Sequence, residues 1–299
     1  MRKNPYHKNI KDFLPLFMQG PSTTTALTNT IGKTQNILEG CIKPQTITYN
    51  IREYGFDMVR APLVDQNKNV QAQNILDLEM GKTEVTQSFF KAVTGLDLVG
   101  MGYDSAQKPA TSLTWFDSVY FCNELSKRLG LEPCYKIDIL EKEVDSVNGP
   151  NSLSHILKAY VAWKKESNGF RLPTLEEWIV FAKAGTVNDW AGCNDIFKVR
   201  EYGWYEESYL MQPKDVGLKK PNEWGLYDMS GNVFEWCWDF IYENMLTYDN
   251  EDARILEPRI LIGGCFQNNP EYWKIDSVTF EKPSAYDNTM GFRICRTIK

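Results

Sequence analysis

Apolar residues recur at helical spacing in several stretches, each closed by start and stop residues. In "TEVTQSFFKAVTG", Thr86 is placed to cap a helix whose apolar face is Phe89, Phe90 and Val93. Gly95 stands where a left-handed terminal residue belongs. In "TWFDSVYFCNELSKRLG", Thr114 can cap together with Asp117; Ser118, Cys122, Leu125 and Leu129 share a face, and Gly130 stops the helix. In "RLPTLEEWIVFAKAG", Thr174 and Glu177 form a capping box, Trp178, Phe181 and Ala182 face inward, and Gly185 closes it. A further stretch, "SLSHILKAYVAW", has helical texture and carries His155. Alternation replaces helical spacing in "RILIGGCF" and "GFRICRTIK", which predict strands. Beyond Gly185, Gly, Asn, Asp, Trp and Tyr dominate and regular periodicity fades, so long structured loops are expected. The pattern predicts an α+β fold with few helices, short antiparallel strands and much irregular chain over residues 57–299. Residues 1–56, with the polar, Thr-rich "PSTTTALTNTIGKTQ", are expected to form an N-terminal extension.

Composition narrows the function classes. The chain has 299 residues and a formal net charge of −6, with no Lys/Arg-rich run, which argues against a nucleic-acid partner. No segment reaches the roughly 18 apolar residues of a membrane helix. The basic N-terminus has its short apolar run broken by Pro15, so no secretory signal is expected. The sequence as it stands predicts a cytoplasmic protein; a leader ahead of it would make it secreted or surface-anchored. The 7 cysteines contain no CxxC and suit buried free thiols in a reducing compartment. With only 2 histidines, His7 and His155, a metal site built on three histidines, or on two with a carboxylate, cannot form in one chain. His155 is expected to be structural rather than catalytic. The 9 Trp, 15 Tyr and 15 Phe supply either a dense core or aromatic binding surface.

The stretch "GLYDMSGNVFEW", Gly225 to Trp236, places Asp228 and Glu235 on either side of the turn-formers Ser230, Gly231 and Asn232. Three readings stay open on spacing alone. The loop can hold a hard cation between carboxylates and backbone carbonyls. It can present a paired acid and base. Or it can be a turn whose carboxylates cap backbone amides.

The ordered blocks "GKTEVTQSFF", "PATSLTWFDSVYFCNELSKRLGLEPCY", "NGFRLPTLEEWIVFAKAG", "KKPNEWGLYDMSGNVFEWCWD", "ILIGGCF" and "GFRICR" resemble the formylglycine-generating enzyme family, the sulfatase-modifying factors, across about residues 57–299. That resemblance implies a C-type-lectin-like fold. It also implies a structural calcium ion held by the Asp228 and Glu235 side chains and the Gly231 and Val233 carbonyls. In the family's oxidases, copper sits between two cysteines that would fall four and nine residues after Gly263–Gly264. This sequence has Asn268 and Trp273 there, and neither can supply a thiolate. Copper is therefore not expected. A serine usual after the glycines is Cys265, the histidine expected after the first cysteine is Asn269, and the tyrosine before the second is kept as Tyr272. Cys265 and Tyr272 are the weak catalytic candidates that remain, with Cys295 as a further thiol. The family's iron-dependent branch needs three histidines from a partner domain and is excluded.

Some non-enzymatic relatives bind ligands through the segment equivalent to residues 265–290. Here that segment offers Asn268, Asn269, Tyr272, Trp273, Phe280 and Tyr286, aromatic anchors interleaved with adaptable hydrogen-bonders. Two functions are expected from this: a non-catalytic protein that binds a protein or peptide ligand, or an oxidoreductase with a rearranged site.

Overall fold

A computed structural model describes residues 8–9, 44–62, 77–98, 105–143, 152–204, 212–241 and 255–298. Two five-stranded sheets and a separate hairpin carry the strands. The first sheet runs β1 (Lys8–Asn9), β10 (Ser277–Glu281), β9 (Arg259–Ile262), β8 (Phe234–Phe240) and β11 (Met290–Gly291). Its pairings are antiparallel except β11 on β8. The second sheet runs β2 (Gln45–Ile51), β3 (Tyr54–Arg60), β4 (Leu78–Gly81), β12 (Cys295–Thr297) and β7 (Phe170–Arg171), all antiparallel. The hairpin pairs β5 (Tyr135–Lys142) with β6 (Ile156–Trp163).

The capped helices form where the sequence places them. In α1 (Gln87–Thr94), the Thr86 hydroxyl accepts the Phe89 amide and Gly95 ends the helix at φ 76°. Both α2 (Trp115–Arg128) and α3 (Leu175–Lys183) have complete capping boxes, Thr114 with Asp117 and Thr174 with Glu177. One large core joins α1 and α2 to the inner faces of β8 and β6 through Phe89, Phe90, Trp115, Phe121, Trp236 and Phe292. A second lies around α3, with Trp178, Phe181, Ile260, Ile262 and Cys295. A third, small cluster unites Trp190, Cys193, Val199 and Trp273. The fold is the expected α+β arrangement of few helices and short, mainly antiparallel strands.

Two expectations are corrected. "SLSHILKAYVAW" is not helical: its last 8 residues are β6, paired with β5 from Tyr135↔Trp163 to Lys142↔Ile156. Tyr160, Val161 and Trp163 are β-formers, and the cross-strand partner that selects the extended form lies outside any local window. The domain also begins earlier than residue 57, because β2 pairs with β3 in full register, Gln45↔Arg60 to Ile51↔Tyr54. Most of the expected extension lies outside the described residues. No described helix is long and apolar enough to cross a membrane.

Candidate functional site

The Gly225–Trp236 stretch is a turn that feeds β8. Asp228 (φ 57°), Gly231 (φ 85°) and Asn232 (φ 58°) adopt left-handed backbone, which a short polar residue or glycine tolerates. The Gly231 amide donates to the Gly263 carbonyl at 2.8 Å, tying the turn to the end of β9. Asn232 binds in several directions: its Nδ2 donates to Glu84 Oε2 at 2.8 Å, its Oδ1 accepts the Lys214 amide at 2.9 Å, and its carbonyl accepts the Phe266 amide at 2.8 Å.

The two carboxylates of this stretch have different fates. Glu235 is fully buried and bound to Arg293, with Nη2 to Oε1 at 2.8 Å and Nε to Oε2 at 3.0 Å; Trp178 Nε1 adds a bond to Oε2 at 2.7 Å. Arg293, equally buried, also donates to the carbonyls of Gly81 and Tyr227, each at 2.8 Å. Asp228 Oδ2 accepts the Gly217 amide at 2.6 Å, while its buried Oδ1 has no hydrogen-bond partner among the described residues. Burial pushes the Asp228 carboxyl up to about 6. Glu84 lies close by, also buried, and its carboxyl is raised well above the usual range by burial, with the charges of Asp228 and Glu235 adding to the effect. This cluster sets three carboxylates against one guanidinium.

The donor set fits calcium only in part. Asp228 Oδ1 is a hard, orphaned oxygen of the right kind. Glu235 is already saturated by Arg293 and Trp178, and among the described residues no three Asp, Glu, His or Cys side chains converge on a common metal position. Glu84 and Arg293 were not singled out from the sequence. For Arg293 the signal available was a charged residue inside the otherwise apolar block "GFRIC"; the polar "TEVT" gave no comparable signal for Glu84.

The residues expected to bind along 265–290 separate into roles. Asn268 turns back on its own loop, its Oδ1 accepting the Cys265 amide at 3.1 Å and the Cys265 thiol at 3.2 Å. Trp273 is fully buried. Its indole N–H donates to the Cys265 carbonyl at 3.1 Å, and its ring lies so close to Gly231 and Gly264 that a Cβ on Gly264 would overlap it. Trp273 therefore anchors the loop and is withdrawn from any surface contact, contrary to the expectation for it. Phe280 is partly buried against the second core. Asn269 and Tyr286 are exposed and Tyr272 is partly so. Tyr286 stacks on His155 with ring centroids 4.2 Å apart and donates to Glu143 at 3.2 Å. His155 in turn binds the buried Asp117 at 2.7 Å.

The remaining thiols are muted. Cys265 is 2% exposed, and burial pushes its thiol up to about 12. Cys295 belongs to the second core, bonded by Arg171 Nη1 at 2.9 Å, whereas Cys265 belongs to the first. They do not form a pair.

Residues 48–298 match the Sulfatase-modifying factor enzyme 1-like domain. The chain belongs to the sulfatase-modifying factor family. Among similar proteins in this family's range, the chaperone protein LppX of Paenibacillus barcinonensis is 34% identical over 192 residues, 58% of this chain and 65% of its own length. The formylglycine-generating enzyme of Thermomonospora curvata is 28% identical over 164 residues, 45% of this chain and 50% of its own. The chain thus spans just under two thirds of the first relative and half of the second. The solved structure of Treponema denticola variable protein 1 superposes with a TM-score of 0.65 at 27% identity, covering 85% of this chain and 100% of that one. The sulfatase-modifying factor fold is thereby established for this chain, with its C-type-lectin-like sheet and loops.

Proposed function

We propose that this member of the sulfatase-modifying factor family is a non-catalytic binding protein whose ligand, a protein or peptide, docks on the exposed part of the 265–290 face. The observation that carries the reading is the occupancy of the two copper-thiolate positions. Asn268 is folded back onto Cys265, and Trp273 is buried beneath Gly264. A nucleophilic sulfur must be a thiolate, and burial pushes the Cys265 thiol up to about 12, away from that form. Asn269, Tyr272 and Tyr286 remain as outward groups on a loop framed by β9, β10 and β11, the kind of rigidly held polar and aromatic surface that supports recognition. The name of LppX, a chaperone protein, and that of the Treponema variable protein fit a scaffold that also serves purposes besides oxidation.

The same reading places a structural calcium ion at the Gly225–Trp236 turn. Asp228 Oδ1 and the Gly231 and Val233 carbonyls would hold it, and Glu235 would contribute charge from within its ion pair. What supports this is the orphaned Asp228 oxygen together with the excess of buried carboxylate over guanidinium. The ion would supply rigidity and charge balance, not a reaction step.

The test is an oxidase assay with copper, reductant, oxygen and a cysteine-containing sulfatase-type peptide, followed by mass. We expect no aldehyde product beside an active relative as control. Formation of the aldehyde overturns the reading in favour of an oxidoreductase using Cys265 and Tyr272. A displayed peptide library supplies the positive arm: selected peptides should lose binding on Tyr272→Ala and Tyr286→Ala, and binding indifferent to both variants would move the ligand face elsewhere.

A further inference from the structure

Between the β5–β6 hairpin and the C-terminal end of β8 lies a cavity of about 520 Å³. Its walls are aromatic and aliphatic: Trp115 and Phe116 from the start of α2, Trp238 and Phe240 from β8, and Tyr160 and Val161 from β6. None of its lining residues comes from the 265–290 segment. That volume is within the roughly 300–1,000 Å³ range of small-molecule sites.

Among the described lining residues one charge is buried, Arg259, which is 7% exposed. Its guanidinium sits 3.8 Å over the Trp115 ring, 5.4 Å from the Trp238 centroid and 5.1 Å from that of Phe240. Nη1 donates to the Trp238 carbonyl at 2.7 Å. Nε, buried, has no hydrogen-bond partner among the described residues, and no described carboxylate forms an ion pair with this side chain. The nearby carboxylates of Asp239 and Glu257 act on Arg259 through their charge, but Asp239 turns its Oδ2 to the Leu175 amide at 2.6 Å. At the rim, Lys136 and Asp138 are largely exposed and neutralise each other at 3.0 Å.

Such a group is unusual. A buried cation normally has an anionic partner, because the cost of removing it from water is otherwise uncompensated. Aromatic faces offset part of that cost. They supply no anion, and the planar donor fork of a guanidinium matches a carboxylate in geometry. Burial draws the guanidinium down to about 10, so it still carries its charge at neutral pH.

We propose that this cavity is a binding site for a small aromatic carboxylate. The carboxylate docks on the part of the Arg259 guanidinium that lines the cavity, and the flat apolar body lies among Trp238, Phe240 and Val161. A monoanion is favoured over a phosphate because, among the described residues, one buried guanidinium lines the cavity and the other cation at its rim, Lys136, is already paired with Asp138.

Isothermal titration with 1-naphthoate, indole-3-acetate and benzoate, and with 1-naphthylmethanol as an uncharged counterpart of the first, tests the site on the full chain. The expected result is saturable one-to-one binding of at least one acid. Naphthylmethanol should bind about tenfold or more weakly than naphthoate, since a hydrogen bond to a charged group contributes about 1.5–3 kcal/mol. Arg259→Gln should remove the preference for the acid, and Val161→Trp, at a partly exposed wall position, should block both compounds. If Arg259→Gln does not fold, Val161→Trp and the acid-to-alcohol ratio decide. Failure of all three acids to bind, equal affinity for acid and alcohol, or binding unchanged by both substitutions overturns the proposal.

Discussion

Replacing Trp273 with alanine separates a loop anchor from a ligand contact. Trp273 is fully buried, and its N–H is satisfied by the Cys265 carbonyl. A tryptophan of this kind removes roughly 200 Å² from water, worth about 5 kcal/mol at about 25 cal/mol/Å². Losing the indole also orphans the Cys265 carbonyl, a further cost of about 1 kcal/mol. Partial collapse of Gly231, Gly264 and Val199 onto the void, and residual burial in the unfolded chain, reduce the total, so a loss of about 3–5 kcal/mol is expected. Urea denaturation followed by circular dichroism measures it, with Tyr272→Ala as the control that should cost less than about 1 kcal/mol. Trp273→Cys, which returns a sulfur to the thiolate position, should be nearly as destabilising, because the small side chain leaves most of the same void. If Trp273→Ala loses under about 1.5 kcal/mol with an unchanged m-value, the indole is not supporting the loop and a surface role for it is restored.

Three further outcomes follow from the buried polar groups. Arg293→Met leaves Glu235 buried without its counter-ion and should cost about 3–5 kcal/mol, while the double variant Arg293→Met/Glu235→Leu should lose less than the single one, as thermal and urea unfolding will show. Asp239, its carboxyl pushed up by burial to about 6 from an ordinary 3.8, penalises the folded state above that pH and releases the penalty as pH falls. Between pH 7 and pH 4.5 the native protein should therefore gain stability relative to Asp239→Asn, and parallel pH profiles of the two proteins would refute the assignment. Calcium at 100 times its Kd should stabilise the protein by about 2.7 kcal/mol, the effect being reversed by chelator and absent in Asp228→Ala; a melting temperature indifferent to both removes the ion from the turn.

The helices were legible because their signals are local. Each of Thr86, Thr114 and Thr174 meets its partner amide three residues on, within a single turn of chain. The fold was legible through ordered blocks rather than periodicity. Lost from view were the features decided by distant partners. Ile156–Trp163 has a composition that serves either helix or strand, and Tyr135–Lys142 decides between them. Glu235 looks like a spare metal ligand until Arg293 and Trp178, each far away in sequence, are found bonded to it. Trp273 reads as an aromatic recognition residue, and only the close approach of Gly231 and Gly264 shows that its ring points inward.

The bonds of Arg293 also bear on how the chain comes off the ribosome. This guanidinium holds Gly81, Tyr227 and Glu235, and two residues later β12 enters the second sheet between β4 and β7, with Cys295 opposite both Met80 and Arg171. Strands made earlier in synthesis thus wait for a neighbour made long after them. Until then β4 and β7 have open edges, Glu235 has no counter-ion, and the second core lacks a wall. Domains that close in this way cannot finish folding piece by piece as they emerge, and their half-made sheets are exposed to stray pairing in the interval. A nascent chain stalled before Arg293 should therefore be protease-sensitive throughout the β4–β7 region, however much helix it has already formed.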